Sequence, residues 1–242
     1  MVTNNNLDMN RLLLMLSAVV VLCMSSCKDD DEDCSYSVAT PEAVDLGLSV
    51  KWASFNLGAT KPEEFGDYYM WGETTPATDR DCSWSTYKYA NGAYNKLTKY
   101  STDHGTNSHY SDNGFIDNKS VLDLEDDAAH VTLGGKFRMP TSTEWQELHD
   151  NCAWLWTQVN GVNGYLVTSK KKGFTDRSLF LPAAGERDGS DFSDQVSWGL
   201  YWSASIHWHY PFGGKAYYFN KSNNYLGSCE RNVGCSVRPV SE

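Results

Sequence analysis

Residues 137–148, FRMPTSTEWQEL, carry the clearest local instruction in the chain. Pro140 interrupts what precedes it, and Thr141-Ser142-Thr143-Glu144 is a capping box, in which the Thr hydroxyl and the Glu carboxylate satisfy backbone donors reciprocally at a helix start. Trp145, Leu148 and Cys152, at i, i+3 and i+7, make its apolar face. A shorter helix is predicted to start at Asp123, run through Asp126, Asp127, Ala128 and Ala129, and end at Gly134-Gly135; acids in its first turn suit the helix dipole. Outward from these two helices the chain reads as strands. Short aromatic or β-branched runs, bounded by Gly, Pro, Asn or Asp, predict strands over 49–53, 67–71, 165–169, 178–181, 200–205, 216–220 and 236–240. Residues 101–118 are polar and rich in Gly and Asn, a long loop. The class is α+β: a mixed, mainly antiparallel sheet with two short helices and long irregular loops.

Composition agrees. The 242 residues suit one domain or two small ones, and a domain of about 200 residues can bury roughly 70% of its unfolded surface. With 9 Trp and 14 Tyr the chain can build a core and is no disordered acidic tail. A net charge of −11 argues against binding nucleic acid through a basic surface.

The first residues concern location. Leu12 to Met24 is a 13-residue apolar stretch behind Arg11. It falls short of the roughly 20 residues a spanning helix needs and fits the core of a secretory signal. Met24-Ser25-Ser26-Cys27 resembles a bacterial lipoprotein box, which implies cleavage before Cys27 and lipidation of its thiol; a plain signal peptide is the alternative. Lys28, Asp29, Asp30, Asp31, Glu32 and Asp33 follow, carrying −4 of the net charge. Such a run is a solvated tether, and it also resembles the export signal of Bacteroidetes surface lipoproteins. The expected organisation is a signal peptide over 1–26, a lipidated Cys and tether over 27–42, and one domain over 43–242. Lipid on Cys27 would place the protein on the outer membrane at the cell surface.

Cys34, Cys82, Cys152, Cys229 and Cys235 remain, an odd number, so at least one is free or intermolecular. Cys229 and Cys235 are close enough in sequence to staple a short loop. No CxxC or Cys/His spacing suggests structural zinc.

The ordered segments VDLGLSVKWAS (44–54), GDYYMWGE (66–73), EDDAAH (125–130), FRMPTSTEWQEL (137–148), LFLPAAGERDG (179–189), YWSAS (201–205) and GCSVRPV (234–240) resemble the Fibrobacter succinogenes major paralogous domain. The match spans about residues 43–240. By similarity that family belongs with C-type-lectin-like folds, which include formylglycine-generating enzymes; their R-[LM]-P-T-x-x-E-W motif is matched by Arg138 to Trp145. The resemblance implies a ligand-facing irregular region and no reaction, for it brings no catalytic residues. The calcium-and-sugar signatures of true lectins are missing. Asp126 and Asp127 are read as helix-start residues rather than calcium ligands. Arg138 beside Glu144 and Trp145 is read as a charge-assisted structural contact.

No G-x-S-x-G elbow, H-E-x-x-H or P-loop is present. His207-Trp208-His209 would put two imidazoles on one face of a strand, but no third metal ligand is evident. No cofactor and no catalytic residue is predicted. The stretch 201–231 is dense in aromatics interleaved with Asn and Ser, the composition of recognition surfaces, where rigid rings combine with adaptable hydrogen bonding. Alternation in 216–220 turns Tyr217 and Phe219 inward and leaves Tyr218 and Asn220 on the other face. The candidate ligand-binding residues are His207, Trp208, His209, Tyr210, Phe212, Tyr218, Asn220, Asn223, Asn224, Tyr225 and Arg231. The expected partner is an extracellular glycan or protein. Two alternatives stay open: an enzyme or inactive relative of the formylglycine-generating group using a thiol at Cys229 or Cys235, and a self-associating adhesive component.

Overall fold

A computed structural model describes residues 38–102 and 115–242; the signal segment, Cys27, the acidic run from Lys28 to Asp33 and Cys34 lie outside the described residues. In chain order the first strands are β1 (Ala43–Val44), β2 (Lys51–Ala53), β3 (Tyr68–Tyr69) and β4 (Phe137–Arg138). The middle ones are β5 (Cys152–Val159), β6 (Val162–Ser169), β7 (Ser178–Pro182), β8 (Glu186–Asp188) and β9 (Asp191–Ser193). The last are β10 (Trp198–Ile206), β11 (Gly213–Asn220), β12 (Asn224–Glu230), β13 (Cys235–Ser236) and β14 (Val240–Ser241). Two helices, α1 (Ala128–Leu133) and α2 (Ser142–Asn151), complete an α+β chain.

The central sheet has the order β12-β11-β10-β13-β3, antiparallel except for the β10–β13 pair. It is covered on both faces. Alternate residues of β10 and β11 point opposite ways, so Leu200, Trp202, Ala204 and Ala216 join Trp71, Tyr100 and Ala129 in one core. Tyr201, Tyr217 and Phe219 join Trp52, Trp145, Val167 and Leu181 in the other. The second core is roofed by the β5-β6-β7 sheet and α2, and the order β1-β2-β14-β4 brings the first described strands against the last.

The segments that carry the family resemblance prove to be each other's supports. The Trp145 indole donates to Trp202 O at 3.1 Å, the Trp202 indole to Tyr69 O at 2.6 Å, and the Trp71 indole to Ser203 O at 2.8 Å. The capping box forms as predicted: Thr141 Oγ1 accepts from Glu144 N, and Glu144 accepts from Thr141 N. Glu144 also takes a bidentate pair from Arg138, at 2.9 and 2.7 Å. Burial works against the ionised Glu144, but Arg138 and the Thr141 amide outweigh it and hold its carboxyl below the ordinary value. Arg238 is fully buried and spends its donors on Asn56 Oδ1, Ala53 O and Phe180 O, at 2.9, 3.0 and 2.8 Å. That burial lowers its pKa to about 10.

Three expectations need correction. The predicted 123–134 helix is broken: a 3-10 turn over Leu124–Asp126 precedes α1, because Asp127 is extended and caps α1 from outside by accepting from His130 N. Asp127 also accepts from Met139 N, at 2.8 Å, a bond that a residue inside the helix could not reach from there. The predicted 236–240 strand is two pieces in two sheets, divided where Arg238 turns into the core and Pro239 has no N–H to give. Residues 152–159 are a strand, although Cys152 was read as the end of the helix face. Asn160-Gly161, with φ of 49° and 84°, turns β5 back into β6. Residues 224–230, to which the sequence pattern assigns no element, are the edge strand β12.

Candidate functional site

The candidate residues fall into two groups at opposite ends of the β11–β12 hairpin, with one outlier. The first group occupies the loop between β10 and β11. β10 ends at Ile206, so His207-Trp208-His209 lies in a turn and not on a strand face. The loop is closed by its own backbone: His207 N donates to Gly213 O at 2.9 Å and Gly213 N to Tyr210 O at 2.8 Å. His207 Nδ1 accepts from Tyr210 N at 3.1 Å, and the two rings stack at 4.9 Å. Burial, then the Lys215 and His209 charges, hold the His207 imidazole below its ordinary pKa, so it is neutral at neutral pH and free to accept that bond. His207 Nδ1 is thus engaged, and the described residues bring no third metal-type ligand to the two histidines.

Trp208 and Tyr210 are 49% and 44% exposed, while Pro211 is buried and Phe212 half-buried. Beside them lies a depression of about 200 Å³ lined by Tyr210, Phe212, Gly213, Ser228, Cys229 and Glu230. Its surroundings include residues that sequence reasoning missed. Phe212 meets the exposed Tyr94 edge-on at 5.7 Å, and Trp84 donates from its indole to Glu230 at 3.1 Å. The only signal for them was the density of rings in residues 84–94, WSTYKYANGAY, which nothing local connects to residue 212.

The second group sits at the turn between β11 and β12. Tyr218 and Tyr225 are register partners and stack at 5.4 Å with planes 5° apart. Gly227 makes room for them, since a Cβ there would lie 3.1 Å from the Tyr218 ring and 3.2 Å from the Tyr225 ring. Tyr218 is half-buried and its hydroxyl donates to Ser228 O at 2.8 Å. Tyr225 is the open ring, 47% exposed. Asn220 turns its carbonyl inward to accept from Ser222 N and Asn223 N, at 2.8 and 2.9 Å. Its side chain builds the turn, which leaves Asn223 exposed and Asn224 half-buried at the start of β12.

Arg231 is the outlier and a correction. It is fully buried, with its guanidinium 5.3 Å from the Trp71 ring and 5.7 Å from the Tyr87 ring, and Nη1 donates to Lys99 O at 3.1 Å. Burial lowers its pKa against the opposing effect of Tyr87, and its Nε and Nη2 have no hydrogen-bond partner among the described residues. It belongs to the core under the site, not to the site. Cys229 and Cys235 are unbridged thiols, as are the buried Cys82 and Cys152.

Asp123, Glu125 and Asp126 are the one group of metal-type ligands among the described residues. Lys99 stands among them, its ammonium 3.0, 3.0 and 2.5 Å away, and supplies the positive charge itself. Asp126 also accepts from the Tyr89 and Tyr100 hydroxyls. Against the cost of burial, the bonds from Lys99, Tyr100 and Tyr89 hold its carboxyl below the ordinary value. Its neighbour Asp127 goes the other way, pushed up by burial.

No family model matches the chain, and no curated protein or solved structure matches it either.

Proposed function

We propose that the chain is an outer-membrane, cell-surface lipoprotein whose domain binds an extracellular glycan or protein without catalysis. In this reading the domain is C-type-lectin-like and of the Fibrobacter succinogenes major paralogous type. The support for the domain type is the ordered set of motifs and their mutual stitching through Trp71, Trp145 and Trp202. The support for the anchor is the run from Leu12 to Asp33.

The observation that carries the binding role is the pairing of two half-open rings, Trp208 and Tyr210, with a depression walled by Ser228 and Glu230. Aromatic faces offer flat apolar area to a sugar ring or an apolar side chain, and the Ser and Glu oxygens fix orientation. A depression of about 200 Å³ is small for a whole ligand and suits one sugar unit or one side chain of a larger partner.

The test is an array of glycans and surface proteins probed with the wild-type chain, then with Trp208→Ala, Tyr210→Ala and Tyr225→Ala. Loss of the wild-type signal in the first two, with Tyr225→Ala unchanged, is expected. Binding that survives the first two and fails in Tyr225→Ala would move the site to the β11–β12 turn. A signal indifferent to all three would overturn the reading.

A further inference from the structure

The rings around the depression do not lie in one plane. Trp84, Tyr94, Phe212 and Tyr210 meet in that order, at 6.5, 5.7 and 5.8 Å between ring centroids, and successive planes differ by 63°, 76° and 51°. Such a row offers no flat platform. It stands as walls, and Tyr210 and Phe212 line the depression of about 200 Å³ directly. Aromatic walls around a small space favour a cation, because the negative ring faces attract positive charge within about 6 Å. The charges beside the depression are placed to match. Glu230, exposed and part of the lining, accepts from the Trp84 indole and makes no ion pair among the described residues. Lys215 is the register partner of Ser228, another lining residue, so those two side chains leave the same face of the hairpin. No acid pairs with Lys215 among the described residues. Ser228 and Glu230 are two residues apart on β12, about 7 Å along the strand, so an ammonium and a carboxylate flank one aromatic hollow from that spacing.

We propose that the depression takes a phosphocholine diester, with the trimethylammonium head against Tyr210, Phe212 and the Glu230 carboxylate and the phosphate toward Lys215. This assignment rests on the binding site proposed above and narrows its ligand to a glycan that carries the ester. A quaternary ammonium has no N–H to donate, so ring faces and one carboxylate hold it without a hydrogen bond. A hollow of this size admits one such head group and not a chain of sugars. Lys215 decides between ligands that share the head. It repels a cation alone, such as choline or a methylated lysine side chain, and attracts the phosphate. The diester is neutral as a whole, so the net charge of −11 does not oppose its approach.

The full chain is titrated calorimetrically at low salt with glycerophosphocholine, with choline, and with neohexanol, the uncharged carbon isostere of choline. The wild type should bind glycerophosphocholine about tenfold more tightly than choline, and choline more tightly than neohexanol, because each step removes one charge contact. Glu230→Gln keeps an acceptor for the Trp84 indole and should weaken glycerophosphocholine about tenfold. Lys215→Gln should move two ligands in opposite directions, glycerophosphocholine weaker and choline tighter, a change that misfolding cannot imitate. No heat with glycerophosphocholine, neohexanol binding as well as choline, or affinities indifferent to Glu230→Gln would each overturn the assignment. Absence of heat beside an array signal that depends on Tyr210 would remove phosphocholine and leave the depression as the binding site. An array signal that ignores Tyr210, beside heat that Glu230→Gln abolishes, would support the phosphocholine site and move the array ligand elsewhere.

Discussion

Tyr217 and Tyr218 are the same side chain at adjacent positions of one strand, and they have opposite lives. Tyr217 is fully buried, stacked on Trp145 at 4.9 Å and on Trp154 at 5.3 Å, with its hydroxyl 2.6 Å from His149 Nδ1. Tyr218 faces the other way, is half-buried, and stacks on Tyr225, which is nearly half open. Both faces of β11 are therefore stacked with rings. What differs is the last layer: α2 and the β5-β6-β7 sheet roof Tyr217, whereas near β12, the sheet's edge, Tyr225 is itself the roof. Ring density alone does not mark a recognition surface.

The contrast is broken most directly on the roofed side. Trp145→Ala and Tyr217→Ala should each cost about 3–5 kcal/mol in chemical denaturation, through lost burial and an unfilled cavity. A loss under about 1 kcal/mol at either would mean that the second core is not packed as described.

Next comes the inner half of the Tyr218 face, where Arg231 lies between Trp71 and Tyr87. Arg231→Ala should cost about 2–5 kcal/mol, and Arg231→Met much less, because methionine fills the space without two unpaired buried N–H groups. Equal losses in both variants would show that the charge, and not the volume, is what the core needs there.

A smaller effect is expected at the entrance to α2. The ionised Glu144 is favoured by folding, so its contribution is complete above its ordinary value of 4.5 and is lost as pH falls through the lowered folded value. Glu144→Gln should cost about 1–3 kcal/mol at neutral pH and flatten the acid limb of the stability profile. An unchanged acid limb would assign it to other carboxylates, with Asp126 the first to examine.

The smallest effect belongs to the open ring. Tyr225→Ala should cost about 1 kcal/mol or less, the worth of an exposed stack on Tyr218. A loss as large as that of Tyr217→Ala would erase the distinction between the two faces.

The alternation in 216–220 read the two tyrosines correctly, because side-chain direction in a strand is a period-two property of the backbone. The same rule was available for Cys152–Val159 and for the Asn160-Gly161 turn, but a run of apolar positions carrying on from the helix face to Cys152 concealed them. At the site, exposure of Trp208, Tyr210 and Tyr225 agrees with what loop and strand composition suggested. Arg231 does not. A charged residue next to a predicted binding face reads as exposed until one sees that Trp71 and Tyr87, 160 and 144 positions earlier in the chain, close over it.

Features held by bonds within a few residues were determined by the sequence itself: the Thr141–Glu144 cap, the inward turn of Tyr217 and Phe219, and the α+β class. Their partners lie so near in the chain that little loop-closure entropy stands against them. Tertiary structure alone decided that Asp127 caps α1 from outside while reaching Met139, and that Tyr210, Phe212 and Cys229 come together at the wall of a depression. It decided equally that Arg231 lies inside. Each depends on which strands become neighbours, and that is settled by burying two faces of one sheet at once, a condition no single segment can express.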